Sequence, residues 1–135
     1  LTTQLWTLLP ITLLLSVCTG AAAESWVKVG AADRKIGLYL DTDSVRGLEG
    51  GIRVSVSVLN YSRATGEEES LLAGTLHDCK LNRKRDQFVR KALFHWGAGK
   101  LVDISGEEMN WRPIKKGSMG AALQRAVCDR PVGLS

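Results

Sequence analysis

The residues able to do chemistry are few and scattered. His77 and His95 are the only histidines in the chain. A serine or cysteine nucleophile needs a base within hydrogen-bond reach and a third group to orient that base. His77 precedes Asp78, but neighbouring side chains on a strand point to opposite faces, so adjacency works against a dyad. His77 and Cys79 stand at i, i+2 and would share a strand face as two metal ligands. Only His95 and Cys128 remain to complete such a set, and a zinc site is not expected. Asp41 and Asp43 also share a face and would suit calcium or a carboxylate pair. With Thr42 and Ser44 they read more simply as a turn, in which short polar side chains accept from nearby N–H groups. Gly97-Ala98-Gly99 lacks the strand–helix setting and the later glycine of a phosphate loop. No catalytic, cofactor or metal site is assigned, and the chain is not read as an enzyme.

Charge is more suggestive. Lys80, Arg83, Lys84, Arg85, Arg90 and Lys91 fall close together, opposed only by Asp86. Such a run would bind sulfated glycans, anionic lipid headgroups or acidic protein loops. The plainer reading is a charged turn and a solvated strand face. Trp26, Trp96 and Trp111 would be binding hot spots if exposed. In a small sheet protein they more often fill the core, which is the expectation for all three.

The cysteines depend on where the chain resides. Residues 1–23 carry no charge, and all 18 Lys+Arg and 14 Asp+Glu fall in residues 24–135. Leu8 to Val17 is a short apolar run, followed by Cys18-Thr19-Gly20 and Ala21-Ala22-Ala23. That is the form of a secretory signal peptide, cut after Ala23, although it lacks the usual leading Lys or Arg. The run is about half the length needed to span a bilayer. Leu15-Ser16-Val17-Cys18 also resembles a lipoprotein cleavage box, which would lipidate Cys18 and attach the protein to a membrane, but Val17 is larger than that box favours. Export takes the basic run away from nucleic acid, which is not expected as its partner. Either export route leaves Cys79 and Cys128, and two cysteines in an exported chain read as a disulfide. Closing a loop of about 50 residues contributes about 4 kcal/mol by chain entropy.

The elements that position these groups follow from periodicity. A length of 135 residues with 44% hydrophobic content suits one domain, residues 24–135, and is too apolar for a disordered chain. Trp26 to Val29 and Lys35 to Leu40 read as strands, the second ending at residues 41–44. Ile52, Val54, Val56 and Val58 alternate with Arg53, Ser55, Ser57 and Leu59, a period-two strand with one face inward and one largely wet. A polar turn at 63–69 leads to a strand over 70–81. Residues 86–96 fit either a helix or a strand, with a hairpin through 97–99 into Leu101–Ile104 preferred. Leu71-Leu72 and the strand beginning at Ile52 are candidate edges for pairing with a second copy. Ser118 can cap a helix whose Met119, Ala122, Leu123, Ala126 and Val127 form one apolar face. The disulfide would fasten that helix to the strand carrying Cys79. The expected fold is α+β: an antiparallel sheet of about five or six strands with a C-terminal helix on one face.

The landmarks occur in a specific order. Trp26-Val27-Lys28-Val29 is followed by Leu38-Tyr39-Leu40-Asp41 and Ser44-Val45-Arg46. Ile52-Arg53-Val54-Ser55-Val56 and Asp78-Cys79 come next, then Trp111-Arg112-Pro113-Ile114, Gly117-Ser118 and Val127-Cys128. This order resembles the surface-adhesin protein E family of small exported bacterial proteins. It spans nearly all of residues 26–128 and is most specific at Asp78-Cys79 and from Trp111 to Cys128. The resemblance implies an antiparallel sheet with a disulfide-held C-terminal helix, and it tips residues 86–96 towards strand. It also implies placement at the cell surface and attachment to host matrix proteins. It carries no ligand-contact residue across, since fold does not imply function. The alternative reading is a periplasmic or envelope accessory protein without a host ligand.

Overall fold

The computed structural model describes residues 25–33, 35–106 and 109–132. Residues 1–23, read above as an export signal with cleavage and lipidation alternatives, lie outside them. Strands β1 (Trp26–Asp33), β2 (Ile36–Gly47), β3 (Ile52–Ser62), β4 (Glu68–Asp78), β5 (Arg83–Ala92) and β6 (Leu101–Asp103) pair in sequence order as an antiparallel meander. A two-residue strand, β7 (Arg112–Pro113), pairs with the start of β5, and the helix α1 (Met119–Cys128) follows. The α+β expectation therefore holds, with seven strands and one α-helix among the described residues.

Local chemistry sets the connections. Gly50 and Gly51 take left-handed φ of 73° and 77° between β2 and β3, and Gly66 turns the chain between β3 and β4. The Asp78 carboxylate accepts from the Lys80 and Leu81 N–H groups, bending the chain out of β4 towards β5. Ser118 Oγ accepts from Ala121 N–H at 3.1 Å, satisfying a first-turn donor of α1.

The two sheet faces bury different chemistry. α1 lies on the face bearing Leu38 and Leu40, and these pack with Leu123 and Val127 as a core cluster. β3 presents Ser55 and Ser57 to that face, and β4 presents Thr75 and His77; all four are buried. Val54, Val56 and Val58 point to the other face, where Val58 is fully covered. The regular alternation of β3 is as expected, but its β-branched side is the one away from the helix. Period two separates the faces without saying which a helix will cover.

Several boundaries move. β2 runs through residues 41–44 to Gly47, its register slipping between Asp41 and Arg46. Residues 41–44 thus form a bulge inside a strand instead of ending one. β5 is strand as the resemblance implied, but it spans Arg83–Ala92 and stops before residues 93–96. The expected edges are not edges: β3 and β4 are central, and the sheet ends at β1 and β6. Pairing with a second copy through Leu71-Leu72 or the Ile52 strand is therefore excluded, because their backbone groups are already used.

The tie between Cys79 and Cys128 is formed, with S–S 2.09 Å and Cα–Cα 5.7 Å. It joins the residue after β4 to the last residue of α1. Arg53 reinforces the same helix end, donating from Nη1 to Val127 O at 2.7 Å and to Arg130 O. A ten-residue helix is marginal alone, so these anchors and the core cluster hold it.

Candidate functional site

Of the two histidines, His77 carries the more elaborate geometry. Gln124 Nε2 donates to the carbonyls of Asp78 and Arg83, so its Oε1 faces His77 Nδ1 at 2.6 Å. That orientation makes Nδ1 the protonated nitrogen, and Nε2 accepts from the Ser55 hydroxyl at 2.7 Å. Serine, histidine and amide stand in the order of a nucleophile, its base and an orienting group. The location is wrong for hydrolysis: His77 is 0% exposed, and Ser55 and Gln124 are buried with it between sheet and helix. Here the relay pins α1 to β3 and β4. Burial pushes the His77 imidazole down to about 4, opposed by the hydrogen bond it donates to Gln124 and helped by the Lys84 charge.

The other expected groups separate. Asp78 points away from His77, as the strand geometry requires, and pairs with Arg83 at 3.0 Å. Asp41 and Asp43 serve the bulge: Asp41 Oδ1 accepts from Asp43 N–H, and Asp43 Oδ2 accepts from Ser25 Oγ. Among the described residues no group of three or more His, Cys, Asp or Glu side chains is placed to hold a metal ion.

The basic run splits along β5. Arg83, Arg85 and Arg90 face away from the helix, Lys84 and Lys91 face towards it, and Lys80 sits exposed in the preceding turn. Lys91 pairs with buried Glu69 at 3.4 Å, beside Arg63 at 3.0 Å from the same carboxylate. The Tyr61 hydroxyl also donates to Glu69 and, with these cations, holds that carboxyl below the usual range. Lys84 turns under α1. The six cations are thus not one patch.

What the structure brings together is the face opposite the helix. Arg83 and Arg85 flank the Trp111 ring, their guanidinium carbons 4.8 and 5.4 Å from its centroid. Arg90 stacks on Phe88 at 4.5 Å, and Phe88 lies over Gly74 of β4. A Cβ at position 74 would sit 2.3 Å from the Phe88 ring, so glycine is what allows that ring to lie flat. At the other end of the face, Trp96 meets Tyr39 edge-on at 4.5 Å and Trp26 at 5.9 Å.

Trp96 itself is unusual. It is 44% exposed, contrary to its expected place in the core, and its φ is +64°. A bulky residue in the left-handed region is a genuine outlier that persists only where its surroundings over-determine it. Three contacts do so. Buried Asn60 accepts the Trp96 N–H at 2.8 Å, Ser70 Oγ accepts the Gly97 N–H at 2.9 Å, and a His95 ring nitrogen donates to Tyr61 O at 3.0 Å. Leu93 and Phe94 beside it are also more than half exposed. The turn at 97–99 was legible from its glycines. Nothing local marks a tryptophan as left-handed, since Asn60 and Ser70 lie on β3 and β4.

A rigid sheet that holds an aromatic and arginine surface outward is the architecture of a binding domain. Residues 26–129 match the family described as surface-adhesin protein E, and the chain belongs to that family. Membership carries a surface-adhesin-like binding role for an exported, cell-surface protein. Among curated proteins and among solved structures, nothing matches the chain.

Proposed function

We propose that this protein is an exported binding module that attaches to host matrix proteins or anionic glycans through the face opposite α1. The observation that carries the reading is Trp96, held exposed in a strained conformation by three hydrogen bonds from distant strands. Strain of this kind gathers at ligand clamps. The arginines supply the electrostatic half. Arg85 makes no ion pair among the described residues, and its stacking on Trp111 orients the guanidinium while leaving N–H groups for sulfate or carboxylate oxygens. Lys80, exposed nearby in sequence, extends the charge. Export through residues 1–23 with cleavage after Ala23 completes the reading.

Binding of the mature chain to immobilised heparin and to basement-membrane extract tests it. Binding is expected to fall with added salt, to drop at least tenfold in the double variant Arg85→Glu/Arg90→Glu, and to drop comparably in Trp96→Gly. Absence of binding to both surfaces, or binding indifferent to both variants, would refute the assignment of this face.

A further inference from the structure

A second surface lies on the helix side and has no part in the reading above. Between the first turn of α1 and the β3–β5 face is a cleft of about 350 Å³, within the size range of small-molecule sites. Its walls are largely aliphatic, with Leu38, Leu59, Leu71, Val89, Met119 and Leu123 among them. Its polar groups are unevenly matched. Asp86 is taken up by the Thr75 hydroxyl at 2.8 Å and by Arg112 at 3.1 Å. Lys84 makes no hydrogen bond or ion pair among the described residues; burial and the Arg112 charge lower its tendency to hold a proton, and the Asp86 charge opposes them without contacting it. The Ser57 hydroxyl, on a residue 3% exposed, also lines the cleft without a hydrogen-bond partner.

The position of Lys84 adds to the imbalance. Its ammonium lies beside Gly120, where a Cβ would approach Nζ to 2.9 Å. A cation is thus lodged at the N-terminal, positive end of a helix, where an anion is the favoured occupant. Arg112 brings a second positive charge to the same cleft, and one carboxylate cannot balance both. The site has aliphatic walls, two cations set against the single carboxylate of Asp86, and an unpaired hydroxyl facing the cleft.

We propose that this cleft binds a small aliphatic carboxylate, its chain against the leucines of β2 to β4 and its carboxylate towards Lys84, with the Ser57 hydroxyl as a further donor to the ligand. At about 30 Å³ per non-hydrogen atom the volume admits roughly twelve such atoms, the size of a medium-chain fatty acid. Binding neutralises the ammonium at the helix terminus and removes water from the apolar walls, so both ends of the ligand contribute.

Decanoate, titrated into the disulfide-bonded mature chain below its micellar concentration and followed by amide and methyl chemical shifts, tests the proposal. Saturable shifts at Leu38, Leu59 and Leu71 are expected, with decanol binding at least tenfold more weakly and Lys84→Gln weakening decanoate by a similar factor. Lys84 is only partly buried and unpaired, so that variant is expected to fold; an unchanged amide spectrum elsewhere verifies it. Ser57→Ala, which removes no hydrogen bond, serves as a second variant and is expected to weaken decanoate severalfold. No saturable shift at these leucines, equal binding of decanol and decanoate, or indifference to Lys84→Gln would overturn the proposal. None of these outcomes touches the opposite face, whose glycan and matrix binding is measured separately.

Discussion

Lowering the pH from 7 to 5 is expected to destabilise this fold by about 2 kcal/mol, through His77. In the unfolded chain the imidazole titrates near its ordinary 6.5, and in the folded protein at about 4. The folded pKa is the lower, so between these values the unfolded state binds more protons and stability rises with pH. Stability is therefore complete above 6.5 and lost as pH falls towards 4, with a limit of about 3 kcal/mol for the whole window. The structural cause is specific. Nε2 is occupied by the Ser55 hydroxyl at 2.7 Å, no water reaches the ring, and its cross-strand neighbour is the cation Lys84. A second proton on Nε2 would force the Ser55 hydroxyl to turn from donor to acceptor and would sit, desolvated, beside a like charge. The acidic groups with lowered pKa values, Asp78, Glu69 and Asp103, lose their contributions only below the ordinary carboxylate range, so they leave the upper part of the window to His77. Urea unfolding at pH 7, 6 and 5 measures the effect. With a slope of about 2 kcal/mol per molar, the midpoint should fall by about 1 M between pH 7 and 5. His77→Gln should be less stable at pH 7 yet nearly flat over the same range, whereas His95→Gln should keep the slope. A midpoint independent of pH in the native chain, or a slope surviving His77→Gln, would sink this account of the core relay.

Three further outcomes follow from named contacts. Cys128→Ser should lower stability by about 4 kcal/mol, the chain-entropy value for a loop of about 50 residues, and should abolish the mobility difference between reduced and non-reduced gels. Gly74→Val should destabilise by about 1–3 kcal/mol in thermal melts, because the new side chain displaces the Phe88 ring; an unchanged melting temperature would show that Phe88 does not lie where it is placed. Asn60→Ala should orphan the Trp96 N–H, lower stability by about 1–3 kcal/mol and change the tryptophan emission, while Trp96→Gly should shift stability by no more than about 1 kcal/mol, since lost ring contacts are offset by relief of the left-handed backbone.

Much of the frame was legible in the sequence for local reasons. Alternation marked β3, apolar spacing and Ser118 marked α1, and two cysteines in an exported chain marked the bridge. Each depends on residues within a few positions, or on a pairing with no competitor. The family resemblance added the strand assignment of β5, where the periodicity was ambiguous.

What the tertiary structure decided lies across strands. Pairing order made β3 and β4 central, which removed the expected dimer edges. The position of α1 put the serines of β3, and not its valines, beneath the helix, and that choice created both the Ser55–His77–Gln124 relay and the cleft at Lys84. The basic run divided because successive residues of β5 face opposite ways, and Trp96 left the core because Asn60 and Ser70 hold its turn outward. A sequence states which side chains alternate and which can cap or bridge. Which face is covered, and which distant group meets a given N–H, is a property of the packed sheet and is settled only when the strands have come together.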